Sequence, residues 1–189
     1  MTKQKLYFKV MNASENHRGF QYQDGLNVLN EEFDDNPLHH YCKGGLYFTD
    51  IKHVFQFLNF GIYVREIILP IEDPNFKMVV DENKYRANMI VLGKRYELSH
   101  VETYKMLLAA GADLHKDDDN ALRFSAGNGY LEVVKYLVGR GAFVHAINDE
   151  ALRWSAHNSH LEVVKFLISV GANVGVIHKH PIMEKLTSI

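Results

Sequence analysis

Eleven histidines and a single cysteine are the side chains of this 189-residue sequence best suited to holding a metal or moving a proton near neutral pH. Their spacing serves neither purpose well. His39-His40 with Cys42 is the nearest approach to a ligand cluster, and one cysteine cannot build a cysteine-rich zinc site. His115 and His145 stand thirty residues apart in connecting segments, and His178 and His180 lie near the end of the sequence. No G-x-G-x-x-G, Walker or H-E-x-x-H pattern occurs. The expectation is exposed loop histidines, no metal and no cofactor.

The elements that would position any such chemistry belong to a folded chain. It is 47% hydrophobic and 23% charged with four prolines, a balance that excludes wholesale disorder and a disulfide-stapled miniprotein. Lys+Arg at 21 and Asp+Glu at 23 leave a formal charge of -2, so no bulk field draws it to nucleic acid. One cysteine suits a reducing compartment. The first residues, MTKQKLYFKVMNASENHRG, break into charge before any apolar run of signal-peptide length. Apolar stretches such as 67–70 and 89–92 fall far short of the roughly 20 residues that span a bilayer. A protein that is not secreted and has no membrane anchor is expected.

The C-terminal half repeats itself. Aligning residues 121–150 with 151–180 gives sixteen identities in thirty positions, and Gly111-Ala112, Gly141-Ala142 and Gly171-Ala172 mark the same period. Within a unit, Ala121, Leu122, Ser125 and Ala126 recur on one face of a short helix, small enough for a neighbour to approach. Asn128-Gly129 supplies a turn. A second helix over 131–138 turns Leu131, Val134, Leu137 and Val138 inward, and Gly141 closes it with a left-handed cap. An extended segment over 143–147 leads to the next unit, with Asp119 or Asn120, and Asp149, as N-caps. Such a helix pair cannot bury its apolar face alone, so it implies a stack.

This pattern resembles ankyrin repeats. Asn128-Gly129-Tyr130-Leu131-Glu132-Val133-Val134 and Asn158-Ser159-His160-Leu161-Glu162-Val163-Val164 match that family's turn and second helix. Gly111-Ala112-Asp113 and Gly171-Ala172-Asn173 match its closing signature, and the likeness covers roughly residues 99 to 178. Two departures stand out: a period of thirty rather than thirty-three, and Arg123 or Arg153 where the family carries histidine. Glu150 and Arg153 would replace the family's usual threonine–histidine bond by a surface pair worth about a few tenths of a kcal/mol. With the stretches Gly19-Phe20-Gln21-Tyr22, Gly44-Gly45-Leu46-Tyr47-Phe48-Thr49 and Tyr63-Val64-Arg65-Glu66, nearly the whole chain resembles the ankyrin proteins of giant viruses related to mimivirus. That resemblance implies a scaffold in host cytoplasm or virion with a host or viral protein partner; a homo-oligomer is the alternative.

Family practice places a partner at the connector tips and the outward side of the first helices. Here those positions are Asp118 and Asn148 at the tips, with Arg123, Phe124, Arg153, Trp154 and His157 beside them. Trp154 shares a slot with Phe124, which suits inter-repeat packing as well as partner contact. Asp117-Asp118-Asp119 reads as a solvated connector that caps a helix, or as a contact for a basic partner.

Residues 1–98 lack the period and hold seven of ten tyrosines and eight of eleven phenylalanines, the mark of a packed core. Strands are expected at 6–11, 46–48, 64–69, 76–80 and 87–92, a helix at 51–58 capped by Asp50, and a short helix near 25–32. The expected architecture is an α+β N-terminal domain (1–98), an all-α ankyrin-type stack (99–178) and a C-terminal capping segment (179–189) in which Pro181 opens a helix presenting Ile182, Met183 and Leu186. The N-terminal domain's last apolar face is expected to cover the first ankyrin helix. The order His17-Arg18-Gly19, a short helix, then Lys43-Gly44-Gly45-Leu46-Tyr47-Phe48-Thr49-Asp50 is similar to ADP-ribosyltransferase domains of the polymerase type. That resemblance implies His17 and Tyr47 clasping the nicotinamide of NAD, Gly44 and Gly45 allowing close approach, and a late carboxylate for which Glu97 is the candidate. The residues themselves assign no catalytic group: Gly44-Gly45 makes a turn and Tyr47-Phe48 packs a strand.

Overall fold

The computed structural model describes residues 5–36, 38–39 and 44–187. One compact unit runs through Glu97 and a second begins at Leu98. His40 and Cys42 lie outside the described residues.

The first unit is built on a seven-stranded antiparallel sheet. Its strands are β1 (Tyr7–Met11), β4 (Gly25–Val28), β5 (Leu46–Asp50), β6 (Tyr63–Ile68), β7 (Met78–Asp81), β8 (Lys84–Ala87) and β9 (Met89–Glu97), in the spatial order β4-β9-β6-β1-β5-β8-β7. A small hairpin, β2 (Asn16–His17) with β3 (Phe20–Gln21), stands apart from it. One face carries Met11, Leu46, Phe48, Ile67, Tyr85, Ile90 and Leu92 in a single buried cluster with Tyr22. Rings tighten it: Phe48 stacks on Tyr85 at 5.5 Å, and Tyr7 meets both edge-on. A 3₁₀ helix, Ile51–Phe60, stands where a helix is expected over 51–58 and buries Val54, Phe55 and Leu58.

Two expectations fail locally. Residues 25–28, read as the start of a helix, form β4 and pair with β9 from Gly25↔Leu92 to Val28↔Met89; cross-strand bonds to a long strand outweigh a marginal isolated turn. Asp50 does not cap its helix. Its carboxylate takes His53 Nδ1 at 2.7 Å and the Tyr85 hydroxyl at 3.1 Å. The hairpin β2–β3 and the extension of β9 to Glu97 carry no apolar run long enough to announce them.

The second unit consists of helix pairs. α1 (Val101–Ala110) precedes α2 (Lys116–Gly127) and α3 (Leu131–Gly139); α4 (Ala146–His157) and α5 (Leu161–Ser169) repeat that pair, and α6 (Ile182–Thr187) follows a short 3₁₀ turn. α2 packs on α3 and α4, α4 on α5, and α3 on α5, so each pair hides its apolar side against the next. The first helices meet through Ala121, Ser125, Ala126, Ala151, Ser155 and Ala156, all buried, as their small size requires. The second helices bury Val133, Val134 and Leu137, then Val163, Val164 and Leu167. Leu131 and Val138, expected inside, are only half-buried; Val133 takes the inward place. Ile182 is buried in α6, with Met183 and Leu186 half-buried.

Gly129 shows how tightly neighbouring pairs fit. Its φ is +75°, and a Cβ there would stand 2.5 Å from His160 Nδ1 in the following pair. His160 cannot retreat freely, because its Nε2 lies 3.1 Å from the Gly127 carbonyl, which Asn158 Nδ2 also donates to at 2.6 Å. Gly129→Ala is therefore expected to cost about 1–3 kcal/mol in equilibrium denaturation, combining left-handed strain with a displaced inter-repeat contact. A loss below about 0.3 kcal/mol would contradict this packing.

Candidate functional site

The turns that open α2 and α4 are not extended connectors. Asp117, Asp118 and Asp119 have φ of 56°, 52° and 56°; Ile147, Asn148 and Asp149 have 48°, 56° and 54°. Each triplet is nearly one turn of left-handed backbone, which costs an L-residue about 1–2 kcal/mol. Asp and Asn tolerate it best, whereas Ile147 is β-branched and sits there against its nature. The right-handed helices begin one residue later, at Asn120 and Glu150.

An arginine holds each turn. Arg123 donates from Nε to the Asp118 carbonyl at 3.0 Å and from Nη2 to the Asp117 carbonyl at 2.7 Å. Arg153 repeats the grip on Asn148 at 3.1 Å and Ile147 at 2.9 Å. The planar fork suits two adjacent carbonyls. Glu150 joins the two repeats: Arg123 Nη1 donates to its Oε2, and Arg153 Nη2 lies 3.7 Å from its Oε1. The expected Glu150–Arg153 pair thus exists, as the outer half of a ladder. Asp119 and Asp149, expected as N-caps, turn their carboxylates across the repeat boundary. Asp119 Oδ1 accepts from Phe143 N at 3.1 Å, and Asp149 Oδ1 from Asn173 N at 2.9 Å. His115 and His145 each place Nδ1 3.0 Å from those same oxygens, so these two histidines help position the aspartates.

This geometry sorts the residues named for partner contact. Arg123 and Phe124 are buried, the first in its ladder and the second edge-on to Tyr130 at 6.2 Å, so neither offers free surface. Asp118, Asn148 and His157 are exposed. Arg153 and Trp154 are half-buried. Trp154 lies against Gly127, where an added Cβ would come 3.2 Å from its ring, and it also lines a hollow with His157, Ile177, His180 and Pro181. It serves packing on one edge and faces open space on another.

The N-terminal unit holds a second candidate. A cavity of about 490 Å³ brings His17 and Tyr47 into one lining, with Lys9, Arg18, Phe57 and Phe60. Glu97 is not on it; that residue ends β9 opposite Tyr63 and lies 3.9 Å from Arg95. The carboxylate that ADP-ribosyl transfer needs is thus missing from the described lining. Lys9 went unread in the sequence although strand alternation places it between inward-facing Tyr7 and Met11. Its Nζ donates to the Tyr47 carbonyl at 2.7 Å and sits 4.8 Å from the Tyr22 ring centre. Burial, then the charge of Arg18, pushes the Lys9 ammonium down to about 7. Burial, followed by Lys9's charge, holds His17 at about 4 and so neutral. His39, the described part of the nearest approach to a ligand cluster, places Nδ1 2.8 Å from Asp34 Oδ2. No group of three potential metal ligands exists among the described residues, and no helix among them is long and apolar enough to cross a membrane.

The sequence profile for ankyrin repeats, three copies, matches residues 71–178. Relatives come from Acanthamoeba polyphaga mimivirus. The uncharacterized protein R869 is 48% identical over 129 residues, which span 68% of this chain and 94% of that protein. The ankyrin repeat protein R868 is 48% identical over 130 residues, 68% of this chain and 64% of its own length. The ankyrin repeat protein R896 is 40% identical over 127 residues, 66% of this chain and 38% of its own. The chain thus spans less than two thirds of the latter two relatives.

Two outcomes test these geometries. Arg123→Ala is expected to lose about 3 kcal/mol in urea denaturation because it strands the largely buried Glu150 and removes the donor of two turn carbonyls. Arg153→Ala, more exposed, should lose about 1 kcal/mol, and Arg123→Lys should recover little because an ammonium lacks the fork. Equal losses at the two arginines would contradict the ladder. For Lys9, the folded ammonium titrates near 7 and the unfolded one near 10.5, so the unfolded state binds more protons between those values and stability climbs with pH there. The advantage of Lys9→Met over the native chain should therefore grow as pH falls from about 9.5 to about 7 and level off below, while parallel stability curves would refute the buried charge.

Proposed function

The chain belongs to the ankyrin-repeat family, and from that premise we propose that its helix pairs form a non-enzymatic module holding a host or viral protein partner in the infected cell or the virion. The observation that carries this reading is the paired tip. Asp118 and Asn148 occupy one slot in successive repeats, both exposed, on left-handed turns whose carbonyls are clasped from beneath. Rigid scaffolds that display exposed polar residues on loops are suited to recognition, because little conformational entropy is lost on binding. Trp154 and His157, one helical turn apart on α4, add an aromatic anchor of the kind that dominates binding energy. Charge gives no support to a nucleic-acid partner.

The test uses the whole chain as bait in lysate of infected host cells, with Asp118→Lys/Asn148→Lys and Trp154→Ala/His157→Ala as paired variants. A protein retained by the native chain and lost from both variants, each still unfolding cooperatively, is the expected result. Retention by both variants would remove the tips and α4 from the interface. Light scattering of the purified chain addresses the self-association alternative: a dimer dissolved by the same variants would assign this surface to a second copy.

A further inference from the structure

The cavity of the N-terminal unit lies where its sheet comes apart. β1 and β5 are paired only at Tyr7↔Asp50 and Phe8↔Thr49. The next bonded pair in step would be Val10 with Tyr47, since alternate residues of an antiparallel strand direct their backbone groups to the same neighbour. That pair is not made. β5 continues along β8 at Leu46–Phe48, and the Tyr47 carbonyl is taken by the Lys9 ammonium instead. Val10, Lys9 and Tyr47 all line the resulting cavity.

Its walls have a consistent chemistry. Lys9, only 6% exposed, has a carbonyl and an aromatic ring as its contacts, both formally neutral. The Arg18 guanidinium lies 5.6 Å from the Tyr47 ring centre, and Lys84 stands 3.2 Å from the buried Asp81. No Asp or Glu is among the described lining residues. Burying the Lys9 ammonium with only neutral contacts is costly, and an anion bound beside it, within reach of the exposed Arg18, would relieve that cost. The rest of the lining mixes aromatic rings with the polar side chains of Asn12, Asn16, Thr49 and Asn59. Phe60 is 61% exposed at the rim, 6.3 Å from the His17 ring, with Phe57 and Tyr47 nearby and the exposed Asn59 amide beside it. Flat aromatic faces and an amide suit a heterocyclic base, whose edge an amide can read and whose face stacks on a ring. The volume of about 490 Å³ lies within the range of small-ligand sites.

We propose that this cavity binds a nucleoside monophosphate, with the phosphate at Lys9 and Arg18 and the base against Phe60 and Tyr47. The proposal rests on charge and shape in the N-terminal unit alone and is independent of partner binding by the repeats. It involves no bond-breaking step.

Isothermal titration of the full chain with each of the four ribonucleoside 5′-monophosphates, to about 5 mM, tests it. At least one should bind with one site per chain, and Arg18→Gln and Phe60→Ala should each weaken it about tenfold or more. Lys9→Met should abolish it; if that variant does not fold, Arg18→Gln and Phe60→Ala decide the matter. Silence from all four nucleotides overturns the proposal, as does unchanged affinity in both surface variants. Inorganic phosphate binding as tightly as any nucleotide would overturn the base-binding half, and the matching nucleoside binding equally tightly would overturn the phosphate half.

Discussion

Backbone that leaves regular helix or sheet must still find partners for its carbonyl oxygens, and in this protein arginine supplies them. Arg123 and Arg153 clasp the left-handed turns at the head of each helix pair. Arg86 does the same in the other unit. It is fully buried and donates to the carbonyls of Asp34, Asn36 and His39, tying an irregular loop to β8. A guanidinium is suited to this because it offers five donors in a fixed plane and is more weakly hydrated than an ammonium. The grips of Arg123 and Arg153 offset part of the left-handed strain in the turns they hold.

The repeats depend on that grip in a specific way. Generic apolar burial along Val134, Leu137, Val164 and Leu167 drives helix pairs together, yet it fixes neither their spacing nor their register. Spacing comes from the polar contacts at the turn. With the turn clasped, Asp119 and Asp149 are presented to the amides of Phe143 and Asn173 one repeat onward. Glu150 links the arginine beneath one turn to the arginine beneath the next. The thirty-residue period is therefore accommodated by a tight left-handed turn in place of a longer connector, and the tips it displays are held from two sides.

Much of this was legible in the sequence, because apolar periodicity and small-residue faces report directly on packing. The helix pairs, the caps at Gly141 and Gly171, and five of the strands follow from those signals. The left-handed turns did not show themselves. Asp117-Asp118-Asp119 reads equally well as a solvated run, and Ile147 argues against a positive φ on its own. The available signal was an arginine repeated at one slot, five and six residues after those carbonyls. β4 was misread because four residues carry too little pattern to distinguish a strand from a short helix. Arg123 and Phe124 looked like surface because the family's first helix has an outward side, and only the placement of Glu150 and Tyr130 shows them engaged within the stack. In the N-terminal unit His17 and Tyr47 line one cavity, while Glu97 lies on β9, with β6 and β1 between it and the strand of Tyr47, an order that spacing alone cannot reveal.

An aspartate on each clasped turn captures an amide of the following repeat. Phe143 puts this to a sharp test, since its side chain is 56% exposed and its segment belongs to no helix. Native-state hydrogen exchange followed by NMR at the Phe143 and Asn173 amides is the measurement. The claim predicts that both exchange only through opening of the array, as slowly as helical amides in α3 and α5. Exchange at the free rate of an exposed loop, with the helices still protected, would contradict it.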